Sequence, residues 1–238
     1  MGRTFVTGDI HGNPQLSLSS SMFPQGKHLS KDDVVIILGD FGLFWSKYRT
    51  IKEEKHLKWL DNQPWTTCFI DGNHENFDLL DKLPQKQKFG GIVGIAGYSI
   101  YHLLRGNIYN INNHSFLALG GAHSCDRFYR TWGKSMWIQE EITQENIDLA
   151  ISNLSKSSYS VDYILTHCAP IEFAKYAIPS EFTYKPDPSE EKLSFLKSSI
   201  PLSYRQWYFG HYHNNAKDPF MGYWTCLYDV VEEIPSAR

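Results

Sequence analysis

Gly8-Asp9-Ile10-His11 follows the apolar run Thr4-Phe5-Val6-Thr7, and Gly39-Asp40 follows Val34-Val35-Ile36-Ile37-Leu38. The same kind of junction recurs three times. Cys68-Phe69-Ile70 leads into Gly72-Asn73-His74-Glu75, Tyr163-Ile164-Leu165 into Thr166-His167, and Trp207-Tyr208-Phe209 into Gly210-His211-Tyr212-His213. The runs are short and rich in β-branched and aromatic residues, as strands are. Val34–Leu38 is apolar without alternation, which predicts a strand buried on both faces. Each run ends on carboxylate, imidazole or amide donors, the groups that hold Mn²⁺, Fe²⁺ or Zn²⁺. Five such junctions predict a metal site at the ends of adjacent strands. Asp9 and His11 are two apart, as are His211 and His213, so extended backbone would project each pair to one side.

The rest of the chain bounds this reading. Its 238 residues, 42% of them apolar, fit one α/β domain over residues 1–238 with a sizeable core. A net charge of −3 implies no extended surface for duplex nucleic acid. Cys68, Cys125, Cys168 and Cys226 form no CxxC pair, which points to reduced thiols and a cytoplasmic protein. There is no signal-peptide pattern and no apolar stretch near the roughly 18–20 residues of a membrane span.

Strand and helix signals alternate at first. The rhythm of residues 51–60 predicts a helix, and residues 76–83 predict another ended by Pro84. Residues 109–116 read as a hairpin turning at Asn112-Asn113. Residues 122–138, aromatic and arginine-bearing without periodicity, read as a functional loop. A helix is expected from Thr143 to Leu154, a strand over 161–165, a surface helix over 189–197, and closing strands at 206–209 and 220–224.

The five motifs, in this order between residues 8 and 213, resemble the calcineurin-like metallophosphoesterase family. The resemblance implies two packed mixed β-sheets flanked by helices, a four-layer α/β/β/α sandwich. It implies two divalent metal ions, Mn²⁺ first, with Fe, Zn or Ni as alternatives. Asp9, His11, Asp40 and His213 would hold one ion, and Asp40, Asn73, His167 and His211 the other. Asp40 would bridge them, and His74 would stand beside the scissile phosphate. The implied reaction is hydrolysis of a phosphomono- or phosphodiester by metal-activated hydroxide, with catalytic roles for His74 and Asp40. A small or nucleotide-like substrate is the first choice, a Ser/Thr protein phosphatase the alternative, and a metal-binding interaction scaffold the alternative outside enzymes. No membrane partner is expected, and the oligomeric state stays open.

One motif departs from the family pattern. Gly39-Asp40 continues as Phe41-Gly42-Leu43, without the Asp of many members or the phosphate-gripping arginine of the protein phosphatases. Arg127 and Arg130 are the replacements expected to bind substrate phosphate, with Asp126 orienting one of them. His123 is expected to be structural, as are His28, His56, His102 and His114. Trp45, Tyr48, Tyr129, Trp132 and Trp137 border the expected site and could stack on a base or anchor loops. Glu75 is expected to stabilise the start of the helix after it.

Overall fold

The computed structural model describes residues 2–179 and 183–236. It opens with β1 (Thr4–Thr7), α1 (Gln15–Leu18), β2 (Val34–Leu38), α2 (Ile51–Asp61), β3 (Thr66–Ile70) and α3 (Phe77–Leu80). β4 (Gln85–Lys88), β5 (Gly91–Ile95) and β6 (Ile100–Leu103) follow, then β7 (Ile108–Ile111) and β8 (His114–Leu119). After the long loop come α4 (Gln144–Ser155), β9 (Tyr163–Thr166), α5 (Ile171–Ala177) and α6 (Pro188–Ser199). β10 (Gln206–Phe209), β11 (Ala216–Lys217), β12 (Trp224–Cys226) and β13 (Val231–Ile234) close the chain.

The strands form two mixed sheets. One has seven strands in the order β13-β1-β2-β3-β6-β5-β4, the other six in the order β11-β12-β10-β9-β8-β7. Side-chain alternation explains why they stack. Val35 and Ile37 of β2 pack outward with Leu57 and Leu60 of α2 and Phe77 and Leu80 of α3. Val34, Ile36 and Leu38 pack inward with Tyr163, Leu165 and Tyr208 of the other sheet. On that sheet Ile164, Trp207 and Phe209 turn outward to Leu154 of α4, Phe173 of α5 and Leu193 of α6. The result is the expected four-layer sandwich, with both sheets covered on both faces.

Parallel pairing sets where the motifs meet. β1, β2 and β3 run parallel, as do β9 and β10. Their carboxyl ends therefore lie together, and the loops after them carry all five junctions. The hairpin β7–β8 turns at Asn112 and Asn113, whose φ values of 49° and 66° suit asparagine. Thr50 caps α2: its Oγ1 accepts from Glu53 N at 3.2 Å, and the Glu53 carboxylate accepts from Thr50 N at 2.6 Å.

Several expectations shift. The helix expected over 76–83 is only Phe77–Leu80, because Lys82 and Leu83 bond three residues back and Pro84 bars helical backbone before it. Residues 220–223 are a turn, closed by the Asp218 carboxylate accepting from Phe220 N at 2.9 Å and Tyr223 N at 3.0 Å. The strand begins at Trp224. α6 is half interior rather than a surface helix, burying Ser189, Glu190, Leu193 and Leu196. Cys68, Cys168 and Cys226 are buried, Cys125 is exposed, and all four are free thiols. Among the described residues no helix is long and apolar enough to cross a membrane.

Because β2 is covered on both sides, Ile36→Ala and Ile37→Ala should each destabilise the fold by about 2–5 kcal/mol in urea unfolding. A one-sided sheet would tolerate one of the two.

Candidate metal centre

Asp9, Asp40, His167 and the outer pair His11 and His213 converge where the two sheet edges meet. Single donor atoms of Asp9, His11 and His213 lie within 4.8 Å of one another, and so do those of Asp9, Asp40 and His167. Each carboxylate has one oxygen held by a backbone amide. His211 N donates to Asp9 Oδ1 at 3.0 Å, and His74 N donates to Asp40 Oδ1 at 2.8 Å. The second oxygen of each points among imidazoles. Asp9 Oδ2 lies 3.3 Å from His213 Nε2, and Asp40 Oδ2 lies 3.7 Å from His11 Nδ1.

These loops bend more tightly than the sequence spacing implied. His11, Asp40, His211 and His213 have φ values of 43°, 45°, 69° and 48°. They are four of nine non-glycine residues with positive φ among the described residues. The pairs Asp9/His11 and His211/His213 therefore converge through left-handed turns, not through extended backbone. Such backbone is disfavoured for side chains with a Cβ and persists only where its surroundings enforce it. Close approach needs glycine beside the ligands. A Cβ on Gly39, itself at φ 95°, would lie 2.2 Å from His167 Nδ1, and one on Gly72 would lie 2.1 Å from Asp40 Oδ1.

Electrostatics fit a cationic guest. Burial alone would raise the Asp40 carboxyl, but His167, His74 and His11 outweigh it and hold it well below the usual range. Burial alone would lower His167; Asp40 and Asp9 raise it instead to about 9. Its Nδ1 donates to Leu38 O at 2.7 Å, which leaves Nε2 facing Asn73 Oδ1 at 3.1 Å and Asp40 Oδ1 at 3.2 Å. His211 is driven down to about 3 by burial and by His167, so its ring is neutral. His11 Nε2 and His213 Nε2 face each other at 2.9 Å, where at most one hydrogen can lie between them. Asp9 Oδ2 is buried and takes no hydrogen bond among the described residues. Converging lone pairs around an unsatisfied carboxylate oxygen suit divalent cations, so the residues fit the implied metals.

Asn73 is oriented from behind. Its Nδ2 donates to Ser124 Oγ at 3.0 Å, and Ser124 Oγ donates to Glu140 Oε2 at 2.6 Å. This turns Asn73 Oδ1 to the cluster. Arg130 completes the network, and its side chain is only 6% exposed. Its Nη2 donates to Glu140 Oε1 at 2.8 Å and Asn73 O at 3.0 Å, its Nε to Ser135 O, and its Nη1 to Ser124 Oγ. Asp126 accepts from Nη1 at 3.3 Å, as expected for an orienting acid, and its other oxygen lies 4.0 Å from His74 Nε2. Arg130 thus faces the back of the Asn73 loop. Arg127 is more open, with Nη1 donating to Glu141 Oε1 at 2.9 Å. His123 bonds the same oxygen at 2.8 Å, a structural role as expected.

Other contacts escaped the sequence reading. Glu75 does not cap the helix after it; its carboxylate reaches back to accept from Phe41 N at 2.7 Å and Gly42 N at 3.2 Å, fixing the loop that carries Asp40. Arg105 bonds Asp71, just before Gly72-Asn73-His74, and also donates to Gln139 O and Glu141 O. Behind His211 and His213, Tyr212 donates to Glu190 Oε1 at 2.6 Å and Tyr184 donates to Glu190 Oε2 at 2.8 Å. Apart from Tyr184, six residues from Glu190, these partners lie 22 or more residues apart, so no local signal announces them. Of the aromatic residues, Trp137 is buried, Tyr48, Tyr129 and Trp132 are exposed, and Trp45 lies 5.8 Å from the His74 ring.

The model of the calcineurin-like phosphoesterase family matches residues 2–215. No curated protein matches the chain.

Burial, then the charge of Asp187, pushes the Glu190 carboxyl up from 4.5 to about 7. The folded state therefore holds this proton where the unfolded state has lost it. Stability from this group falls as pH rises from 4.5 to about 7. Glu190→Gln cannot lose that proton. Its Tm relative to the parent should rise between about pH 5 and about pH 8, read by thermal unfolding at both; a constant difference would remove Glu190 as a titrating group.

Proposed function

As the chain belongs to the calcineurin-like phosphoesterase family and is a metal-dependent phosphoester hydrolase, we propose that it cleaves a small or nucleotide-like phosphomono- or phosphodiester. Asp9, His11, Asp40 and His213 would hold one divalent ion, and Asp40, Asn73, His167 and His211 a second, with Mn²⁺ the first candidate. When bound, two such ions supply Lewis acidity toward the phosphoryl oxygens and acidify water.

The observation that carries the reading is the arrangement of Asp40. Its Oδ1 faces His167 at 3.2 Å while its Oδ2 faces His11 at 3.7 Å, so the carboxylate is shared between the two halves of the cluster. The amide bond from His74 N fixes that orientation. His74 belongs to neither half. Burial keeps its ring below its ordinary pKa despite Asp40, and its Nε2 is turned to Asp126. In that place it would stabilise charge on the ester or protonate the leaving oxygen. Ser124 and Arg130 hold Asn73 from the rear, so Arg130 acts as a positioning residue. Arg127, partly exposed on the same loop, is the arginine left to meet a phosphoryl oxygen.

Asp40→Asn should abolish Mn²⁺-dependent hydrolysis of bis-p-nitrophenyl phosphate and p-nitrophenyl phosphate while leaving the circular dichroism spectrum intact. Retained turnover would remove Asp40 from the bridging role. His74→Ala should keep its metal content, read by elemental analysis, and lose about 100-fold or more in kcat. Arg127→Ala should raise KM about tenfold, whereas Arg130→Ala should lower metal occupancy. The opposite pattern would exchange the two roles.

A further inference from the structure

A cavity of about 280 Å³ opens directly off the cluster, with His11 and His74 at its inner end. Trp45 forms one wall. Its indole is fixed by the Arg130 guanidinium at 5.6 Å and the edge of Trp137 at 6.1 Å. Ser46, Thr50 and Lys52 line the outer end. A group bound to phosphorus beside His74 would extend into this space.

Two charged side chains line the outer end, and only one is available. The Glu53 carboxylate already accepts from Trp45 N at 3.0 Å, Ser46 N at 2.9 Å and Thr50 N at 2.6 Å. Burial would raise its pKa, yet these bonds hold it below its ordinary value. Lys52, one residue before it, is exposed, and no ion pair or hydrogen bond engages its ammonium among the described residues. Lys47 and Arg49, on the loop before α2, do not line the cavity and lie over the rings of Tyr48 at 5.5 Å and Phe44 at 5.2 Å. The cavity therefore ends on an ammonium with no side-chain partner, beside a carboxylate whose oxygens are taken up by backbone amides.

Building on the hydrolase reading, we infer that the cavity is a leaving-group subsite and that Lys52 selects substrates whose leaving group carries a second anionic group. The volume of about 280 Å³ admits a group of roughly nucleoside monophosphate size. In the reaction a water oxygen bonds phosphorus, the P–O bond to the leaving group breaks, and the leaving oxygen takes a proton. The second anionic group keeps its charge beside Lys52 throughout.

Two matched pairs of probes test this in the Mn²⁺-loaded protein. One pair is adenosine 5′-monophosphate and adenosine 3′,5′-bisphosphate. The other is the dinucleotide ApA and its 5′-phosphorylated form pApA. In the pair that is turned over, the parent should favour the more charged member by about tenfold in kcat/KM, mostly through KM. Lys52→Ala should bring that ratio near one, and Lys52→Glu should invert it. Turnover with no preference, or a preference unchanged in both variants, overturns the subsite and leaves the hydrolase reading standing. Inactivity toward all four and toward bis-p-nitrophenyl phosphate overturns both.

Discussion

A carboxylate buried between two sheet edges must be answered by hydrogen bonds or opposite charge. Asp40 is 2% exposed and Asp9 is 4% exposed, and the junction loops are arranged around them. Backbone amides of His74 and His211 reach one oxygen of each, and imidazoles from both sheets face the other. The left-handed turns at His11, Asp40, His211 and His213 make this convergence possible. The parallel order β1-β2-β3 and the pair β9-β10 put those turns on one edge. Without two sheets packed face to face, the donors of one edge would have no counterpart across the gap.

A second ring of polar contacts keeps the first from relaxing. Asp71 accepts from Arg105, which also reaches the backbone of residues 139 and 141. Glu140 joins Arg130 and Ser124, and through them Asn73. Such buried pairs recover little net stability, because desolvation opposes their attraction. Removing one partner is costly, about 3–5 kcal/mol, since a bare charge is left behind. They act here as geometric stops. Arg105 locks the loop after β3 to the long loop, and Arg130 locks the long loop to Asn73.

Periodicity and junction chemistry made much of the frame legible in the sequence. The apolar run Val34–Leu38 announced a strand with two buried faces, and its residues do divide between two cores. The rhythm of residues 51–60 announced α2, and Thr143 does open the helix expected after it. The metal-seeking residues were readable because each follows a strand. Their local geometry was not, since spacing of two is compatible with extended chain and with a left-handed turn alike. Glu75, Arg105 and Glu190 were opaque for a different reason. Their partners lie 33 or more, 34 or more and up to 22 residues away, and only tertiary structure selects among the possible acceptors.

The departure at the second motif has a packing cause. Phe41, directly after Asp40, is fully buried and stacks on Phe69 with ring centroids 4.0 Å apart and planes 7° apart. A polar or cationic side chain in its place would lose that stack and enter an apolar core. Position 41 thus stabilises the sheet and leaves phosphate contacts to other elements. Glu53 then fixes the loop from Trp45 to Thr50 through its own backbone amides, and His56 bonds Gly12 O at 2.5 Å. One face of α2 therefore holds the loops after β1 and β2 together, while Lys52 at its first turn stays free. The same short segment joins the frame of the cluster to the wall of the cavity. Changes in the exposed residues of that segment can alter which ester fits without disturbing the carboxylates that define the site.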